Sequence, residues 1–399
     1  KNTLTFSGSY DWENHLDSAQ VPYLNMLRYS RDRFISWKNQ GNSGYLNYAM
    51  NYAYKFKQVG HKLNANFQYT KVIEEETYYI NDSSYIRPLG KDITSIYGEE
   101  NITRLSVDYT KPSRTGRFEG GTKLQISKLP LQYTQESGEN SILYPGLGSR
   151  TDWKESVYSG YFKWIHEKKW YALEAGLCPE YAKVFYGIDA ANTYYTKDDA
   201  YDYLKLFPSL RISLKVNQNN KFIASYNQKI DRPGEKNLRI FPKSDDHEIV
   251  SVGNPYLRPQ FTQSYELGYL SRWKSGSVNL SAYFDIIEDM YFDVYTQDNS
   301  RPEYDVLLKS FTNAGRAIDR GLELAFSQSL FKFWKLSGKA RYFQMRFFNH
   351  QGTLLFPYEH TFDIVGAVDN SWDAQLFSTF ILSEKSELQI SALYMAPKI

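Results

Sequence analysis

Residue types that perform nucleophilic chemistry are present in the sequence, but their spacing assembles no site. Ser329 and Lys332 have the S-x-x-K spacing of a serine acyl-transfer site, yet the pair occupies a predicted short turn, so we expect a coincidental match. Residues 146–148 (Gly-Leu-Gly) lack the third glycine and the strand-to-helix context of a dinucleotide-binding loop. We therefore predict no catalytic residue, no cofactor and no enzyme.

Potential metal ligands are equally scattered. None of the six histidines lies at metal-ligand spacing from another: His15, His61, His166, His247, His350 and His360. Acidic clusters at residues 74–76, 198–202 and 245–248 fall in predicted long loops. Because hard cations take carboxylate oxygens, these clusters could bind calcium or a cationic ligand, but a solvated loop has the same composition. The sequence assigns no metal ligand.

Aromatic side chains in the same predicted loops are the candidate ligand contacts. Rigid rings bury a large area at little entropic cost, so they could stack on sugar faces or hydrophobic ligands. Packing within the loops and anchoring at the membrane interface remain open as alternatives. The candidates are Tyr78, Tyr79, Tyr85, Trp153, Tyr194, Tyr195, Tyr201, Tyr291 and Tyr295.

Composition excludes several protein classes. The 399 residues carry a formal net charge of +2, which indicates no nucleic-acid partner. The aromatic content of 17% excludes a disordered chain, and no apolar run reaches the roughly 18 residues of a membrane helix. The single cysteine, Cys178, excludes an intrachain disulfide and a cysteine-rich zinc site.

The elements that must position these residues show a period of two. Residues 46–56 place large apolar groups on every even position, and residues 62–70 alternate in the same way after a short link. The unit recurs around residues 104–126. Such alternation predicts antiparallel hairpins, with short turns at the following positions. They are residues 57–60, 111–116, 167–169, 217–220, 272–276, 330–333 and 383–386.

Long links alternate with these short turns. Each spans on the order of 25 residues, far above the usual median of about 4–6. They are residues 73–100, 128–154, 182–207, 232–261 and 288–316. Because antiparallel strands reverse direction, the short turns must gather at one end of the sheet and the long loops at the other, as in outer-membrane barrels.

We predict an all-β fold, an antiparallel transmembrane β-barrel with roughly 15 strands in this chain. About 10 residues, at about 3.3 Å each and tilted by about 45°, rise roughly 23 Å, close to the apolar band of such barrels. A soluble antiparallel sheet with one solvent-exposed face has the same alternation of apolar and polar residues. The number of strands and the asymmetry of loop lengths favour the barrel. A soluble β-protein would stay monodisperse without detergent.

Charged residues on the polar side of the predicted strands would line the lumen if the apolar side meets lipid. Both positive and negative side chains occur, so the lumen wall would be hydrated and able to hold a polar plug or pass a polar ligand. The predicted lumen-lining residues are Arg104, Lys123, Arg211, Glu266, Glu323, Lys339 and Arg341, with Lys55 and Lys215 as further members.

Several short blocks resemble the signature of TonB-dependent outer-membrane receptors, in that family's order. The resemblance is closest to the large-barrel group with FPS, RP and GNPxLxP blocks. The period-two alternation of strands continues on both sides of the blocks, so the resemblance extends over most of the chain. The blocks are residues 206–214, 224–233, 253–260 and 264–269, followed by 313–317 and 321–324.

The resemblance implies structural roles for these residues. Asn and Pro before a strand set a turn, and Gly268 and Gly321 on the lumen side allow close packing. The family pattern after Gly176 departs at Cys178-Pro179, so we expect this strand to bulge or end at Cys178.

Such receptors close about 22 strands around a plug. We expect residues 1–399 to form one partial barrel domain without the plug and the C-terminal strands. The implied partners are outer-membrane lipid, a TonB complex acting through the absent plug, and a surface lipoprotein lid.

The expected function is energised uptake of a bulky nutrient across the Gram-negative outer membrane. An oligosaccharide, a peptide or a metal chelate would each fit an aromatic mouth with mixed charge. The alternative is a non-transporting surface barrel that acts as an adhesin or an assembly partner.

Overall fold

A computed structural model describes residues 1–25, 30–84, 87–141, 143–242, 249–298 and 307–397. In these ranges the chain is almost entirely β-structure, with one short helix, α1 (Glu235–Leu238). No described helix has the length and apolarity to cross a bilayer. The strands in chain order are β1 (Asn2–Asn25), β2 (Ser30–Lys55), β3 (Lys62–Ser84), β4 (Arg87–Ser113), β5 (Gly116–Ser137), β6 (Ser149–Glu167), β7 (Tyr171–Ile188), β8 (Asp199–Lys215), β9 (Asn220–Asp231), β10 (Ile249–Ser251), β11 (Gln260–Trp273), β12 (Gly276–Glu288), β13 (Tyr291–Gln297), β14 (Leu307–Asn313), β15 (Ala317–Phe331), β16 (Trp334–Phe347), β17 (His350–Leu354), β18 (His360–Ile364), β19 (Val368–Ser383) and β20 (Ser386–Met395).

Fifteen of the described strands form one antiparallel sheet, which confirms the predicted fold class and strand number. Its order is β1 to β9, then β11, β12, β15, β16, β19 and β20, so each strand pairs with the next member along the chain. The remaining strands form two small sheets, β10-β14-β13 and β17-β18. Nearest-neighbour hairpin pairing is the arrangement that short turns and period-two alternation dictate.

All seven predicted short turns connect consecutive strands of the main sheet. They follow β2, β4, β6, β8, β11, β15 and β19, so they share one edge of the sheet, which we call the turn end. The longer connections share the opposite edge, the loop end.

The predicted lengths of the long loops are wrong in part. Residues 73–100 continue the β3–β4 ladder, with Tyr79 opposite Ile93, and the two strands run to 23 and 27 residues. The links after β5 and β7 are shorter than predicted, because β5 extends to Ser137 and β7 to Ile188. The physical reason is continued backbone pairing: each added residue gains ladder hydrogen bonds without new loop closure.

The main sheet has one apolar face and one polar face. Cross-strand partners share a face, and the register places Phe67 opposite Leu105 and Leu105 opposite Leu124. Phe67 is 38% exposed and Leu105 46% exposed, so no second layer of described residues covers this row. The apolar face continues around the sheet through Phe162, Leu177, Leu206, Leu267, Leu280 and Leu322, all exposed.

This apolar band has a height that fits a bilayer. In β8 the outward residues run from Leu204, 72% exposed, to Leu214 at the turn end. Ten residues of tilted strand rise roughly 23 Å. Beyond Leu204 the same face carries Asp202, and the neighbouring strand carries Lys183. We take the strand residues within this band as the membrane-spanning segments.

The buried core lies at the loop end and packs on the polar-face side of the sheet. Ile96, Leu131 and Tyr133 lie on the same face of the sheet as Arg104. They are beyond the band toward the loop end, where this face is apolar and buried. Most of the covering residues come from the β9–β11 and β12–β15 connections, and the other long connections add further core residues. We call residues 232–242, 249–259, 289–298 and 307–316 the loop layer; it contributes Leu238, Ile240, Phe241, Val252, Leu257, Leu308 and Phe311 to this core.

The prediction that β7 bulges or ends at Cys178 is wrong. The strand is continuous, and Pro179 lies opposite Leu206 in the β7–β8 ladder, which shows no register shift. On the other side, the β6–β7 register skips two partner positions between Ser159–Glu180 and Phe162–Leu177. Pairing with β8 therefore carries the strand past the proline, whose missing donor interrupts the ladder locally.

Gly321 permits a close approach between strands, which yields a stability prediction. A Cβ at this position would lie 2.5 Å from the Tyr342 carbonyl oxygen and 2.7 Å from Tyr283 Cε1. We expect Gly321→Ala to lower the free energy of unfolding by about 1–3 kcal/mol, measured from urea unfolding in detergent. Gly268→Ala is the matched control, because its nearest contact is 3.8 Å, at Ile223. Equal destabilisation by the two variants would contradict the steric explanation.

Candidate ligand-binding mouth

Arg232 joins the loop layer to the wall of the sheet. It follows β9 directly, and its guanidinium reaches the Glu180 carboxylate of β7 by hydrogen bond and ion pair. Its Nη2 lies 2.8 Å from the Tyr203 hydroxyl oxygen on β8, and its Nε lies 3.5 Å from Glu155 Oε1 on β6. We call Arg232, Glu155, Glu180 and Tyr203 the Arg232 clamp; it connects four successive strands.

Burial makes the Arg232 clamp electrostatically strong. The carboxylates of Glu155 and Glu180 are 9% and 13% exposed. Burial raises the pKa of Glu155, and the positive charge of Arg232 opposes that rise. Burial also disfavours the charged form of Arg232, but Tyr203 and the two carboxylates leave its pKa above the ordinary value. Arg232 is therefore the cation that contacts both of these carboxylates, and their charge balance depends on Arg232 staying in place.

A second arginine fixes the other end of the loop layer. Arg258 donates two hydrogen bonds to Asp199, at 2.7 and 3.0 Å, and its guanidinium carbon lies 4.4 Å from the centre of the Tyr201 ring. Burial raises the pKa of Tyr201 to about 12. Paired donors and a ring face hold a planar guanidinium in one orientation, so this contact sets where β11 begins.

Two asparagines explain the Asn-rich blocks of the sequence. Asn254 accepts a hydrogen bond from the Tyr256 backbone N–H at 2.9 Å and donates one to the Phe311 carbonyl at 3.0 Å. Asn313 exchanges two hydrogen bonds with the backbone of Arg258, at 2.9 and 3.0 Å. These side chains satisfy backbone groups where the chain has no ladder partner, which is the turn-setting role expected from the sequence.

Four of the candidate aromatic residues gather in or against the core at the loop end. Tyr195 is 2% exposed and donates a hydrogen bond to the Gly253 carbonyl at 2.9 Å. Tyr194, Trp153 and Tyr291 are partly buried against the same core. These aromatic rings therefore pack mainly within the protein, and they support the mouth from the side of the core.

The other candidates lie elsewhere. Tyr78 is buried against Trp37, with 5.8 Å between ring centres, and the next residue, Tyr79, occupies the opposite face of β3 at 42% exposure. Tyr295 on β13 is 50% exposed. Tyr85 lies outside the described residues. Tyr79 shares the outward face of β3 with Phe67, so among these residues Tyr295 has ring surface free to meet a ligand at the mouth.

The seven predicted lumen-lining charges share the polar face of the main sheet. Six are exposed and Arg104 is half-buried, where it donates a hydrogen bond to Gln125 at 3.1 Å. Glu323 lies opposite Arg341, which forms an ion pair with Asp373 at 2.8 Å. The remaining members are Lys123 on β5, Arg211 on β8, Glu266 on β11 and Lys339 on β16.

The acidic clusters that the sequence offered for calcium are divided by the structure. Asp199 pairs with Arg258, and Asp198 accepts a hydrogen bond from the Ile188 backbone at 2.8 Å. Glu75 accepts one from Asn42 at 3.2 Å. Within the described ranges, no three His, Cys, Asp or Glu residues are grouped so that they could hold a metal ion. The cluster at 245–248 lies outside the described residues.

Sequence reasoning did not identify Glu155, Glu180 and Tyr203 as members of a site. Arg232 was visible as part of a recurring block, but its partners are 77, 52 and 29 positions away along the chain. The local signal is limited to a charged residue on the lumen-side face of β6 and of β7.

Comparisons with known proteins agree with this architecture. The model of the outer membrane protein beta-barrel family matches residues 54–399. The copper transporter OprC superposes with a TM-score of 0.54 at 11% identity, covering 97% of this chain and 71% of its own. The siderophore receptor PirA from Pseudomonas aeruginosa gives 0.43 at 11% identity, with 98% and 80% covered. The ferric yersiniabactin receptor FyuA from Yersinia pestis gives 0.44 at 10% identity, with 97% and 73% covered. No curated protein matches the chain.

Proposed function

We propose that this chain, which belongs to the outer membrane protein beta-barrel family, forms the wall of a receptor that takes up a scarce, bulky nutrient. The protein resides in the outer membrane of Gram-negative bacteria. The loop end faces the outside of the cell, because short turns of such barrels are periplasmic. OprC, whose fold it shares, is named a copper transporter, which supports uptake as the function.

The contrast between the two faces at one height carries the proposal. On β8, Leu204, Leu206 and Leu210 point outward and are exposed, whereas Lys205 and Arg211, each next to one of these leucines in the strand, lie on the other face. Hydrocarbon excludes such charges, so the polar face must surround water or a polar domain. A wide polar interior beneath a loop layer is a route for a ligand too large for a simple pore.

The proposed mechanism has capture at the mouth and energised release through the interior. The loop layer, fixed by Arg232 and Arg258, holds a rigid platform above the lumen, and the exposed ring of Tyr295 contacts the ligand. A TonB complex acting on a plug domain would supply the energy. No chemistry on the ligand is expected, since the described residues assemble no acid, base and nucleophile around a cavity.

Uptake by cells tests the proposal. A deletion strain and the same strain carrying the gene are given labelled oligosaccharide, oligopeptide and ferric chelate. We expect the deletion to abolish uptake of one class and the gene to restore it, while a protonophore stops uptake but leaves surface binding. Unchanged uptake of all three classes would overturn the transport proposal and favour a docking barrel, an adhesin or an assembly partner.

Tyr295 offers a variant that tests the mouth itself. Its ring is 50% exposed and is held by Lys309, whose Nζ lies 5.5 Å from the ring centre. We expect Tyr295→Ala to weaken binding of the transported ligand about fivefold, the loss of about 1 kcal/mol of ring stacking. Tyr265→Ala, on the lipid face and 42% exposed, is the matched control. Equal ligand affinities of the two variants would remove Tyr295 from the site.

A further inference from the structure

Three lysines form a row on the apolar side of the sheet, just beyond the band toward the loop end. Lys128 on β5 lies directly opposite Lys154 on β6. Lys183 on β7 is the diagonal neighbour of Lys154, because Lys154 lies opposite Phe185, two residues farther along β7. Directly opposite side chains have Cβ atoms about 4.5–5.5 Å apart and diagonal ones about 7–8 Å, so the three ammonium groups share one patch.

The lysine row sits where a membrane surface would lie. Lys128 follows Ile126 on the outward side of β5, and Lys183 follows Tyr181 on that of β7. All three lysines are exposed, whereas alternate residues on the other face of β6 and β7, such as Glu155 and Val184, are buried under the loop layer. The row is therefore continuous with the lipid-facing band and separate from the mouth.

Among the described residues, no ion pair neutralises the charge of the row. In the described ranges no carboxylate lies within ion-pair distance of any of the three, whereas Lys71 pairs with Glu99 at 2.9 Å on the same outward side. Asp202 is opposite Lys183 in the register but forms no ion pair with it, and Asp152 pairs with Arg150 at 3.6 Å. Like charges directly opposite each other are unfavourable, so an anion bound at Lys128 and Lys154 would relieve their repulsion.

Lysines are suited to that position. Their aliphatic stems can cover apolar surface while the ammonium groups reach the headgroup region. The Lys154 Nζ lies 5.8 Å from the centre of the Phe185 ring, so its stem runs along the outward side of β7. Ammonium groups near an anionic membrane surface each contribute about a fivefold increase in affinity.

We propose that Lys128, Lys154 and Lys183 bind the phosphate groups of an anionic lipid in the outer leaflet. The three-lysine row would fix such a lipid against β5 to β7, directly outside the wall that supports the loop layer. The inference rests on the location of the chain in the outer membrane and on the lipid-facing side of the sheet. It does not depend on which ligand is transported, or on transport at all.

Lipid retention tests the proposal. The purified protein in detergent is incubated with lipopolysaccharide, separated by size-exclusion chromatography, and its bound phosphate is measured against lipid concentration. The triple variant Lys128→Gln, Lys154→Gln and Lys183→Gln is expected to bind on the order of 100-fold more weakly. We expect high salt to weaken binding to the unaltered protein and to have little effect on the variant.

A control with the same change in charge separates the row from general electrostatics. Lys168→Gln, Lys169→Gln and Lys332→Gln remove three exposed lysines at the turn end. These substitutions are expected to leave lipopolysaccharide binding unchanged. If the first triple variant does not fold, Lys154→Gln alone should lose about fivefold.

Zwitterionic phosphatidylcholine provides a headgroup control, and it should be retained equally by all variants. Inorganic phosphate distinguishes a free anion from a lipid, since it should not compete at millimolar concentration. Equal lipopolysaccharide binding by the unaltered protein and the first triple variant, or an equal loss in the turn-end control, would overturn the proposal.

Discussion

Replacing Phe241 with alanine is expected to release the loop layer from the sheet. The ring is 0% exposed and stacks on Tyr133 of β5, with 4.9 Å between ring centres and 7° between planes. Removing a buried phenylalanine costs about 3–5 kcal/mol, because contacts are lost and a cavity remains. Since Phe241 touches the wall only at the loop end, the cost falls on docking of the loop layer, and the membrane band keeps its fold.

Hydrogen exchange is the appropriate measurement for Phe241→Ala. Amides of residues 249–259 and 307–313 should exchange on the order of 100-fold faster or more, while those of the β8–β9 ladder near the turn end stay protected. Phe222→Ala removes the same ring from the lipid face, where it is 49% exposed, and should leave the loop layer protected. Unchanged exchange in the loop layer of Phe241→Ala would show that the core is held by other contacts.

The Arg232 clamp gives the second large effect. Arg232→Met keeps most of the side-chain volume but leaves Glu155 and Glu180 without their cation. Removing one partner of a buried ion pair costs about 3–5 kcal/mol, and we expect the lower end because Arg232 itself is 30% exposed. The variant should open the junction between β9 and the loop layer, measured as faster proteolysis between residues 232 and 260.

A double variant separates the clamp from simple loss of packing. Glu180→Gln removes one of the two uncompensated charges, so Arg232→Met with Glu180→Gln should recover part of the stability that Arg232→Met loses. Arg272→Met, at an exposed turn-end position, is the matched control and should behave as the unaltered protein. Additive losses in the double variant would mean that no charge coupling exists between Arg232 and Glu180.

The strands were predictable where lipid meets one face and polar surroundings meet the other. Residues 46–56 and 62–70 alternate strictly because each face has one fixed environment. Toward the loop end this contrast disappears, since the outward face meets water and the other face meets the loop layer. Glu74 to Glu76 then resemble a solvated loop, although the β3–β4 ladder runs through them. The sequence therefore revealed the membrane band better than the parts that project from it.

The candidate mouth was predictable in composition but not in contacts. Clusters of tyrosine in the long connections indicated rings at the loop end, and Tyr295 is exposed there. Tyr195 has the same local signature and is buried, because burial depends on the Gly253 segment, 58 positions away, that folds onto it. The partners of Arg232 are distant in sequence for the same reason, and no local period records such a contact.

Spin labels on successive residues of β8 test the central claim most directly. After Cys178 is replaced by alanine, single cysteines at Leu204, Lys205, Leu206 and Arg211 are labelled in protein reconstituted in liposomes. Labels at Leu204 and Leu206 should be relaxed strongly by oxygen, which concentrates in the bilayer, and labels at Lys205 and Arg211 by a water-soluble nickel chelate. The opposite pattern, or equal access of both relaxants along the strand, would contradict a barrel whose apolar face meets lipid and whose polar face surrounds the interior.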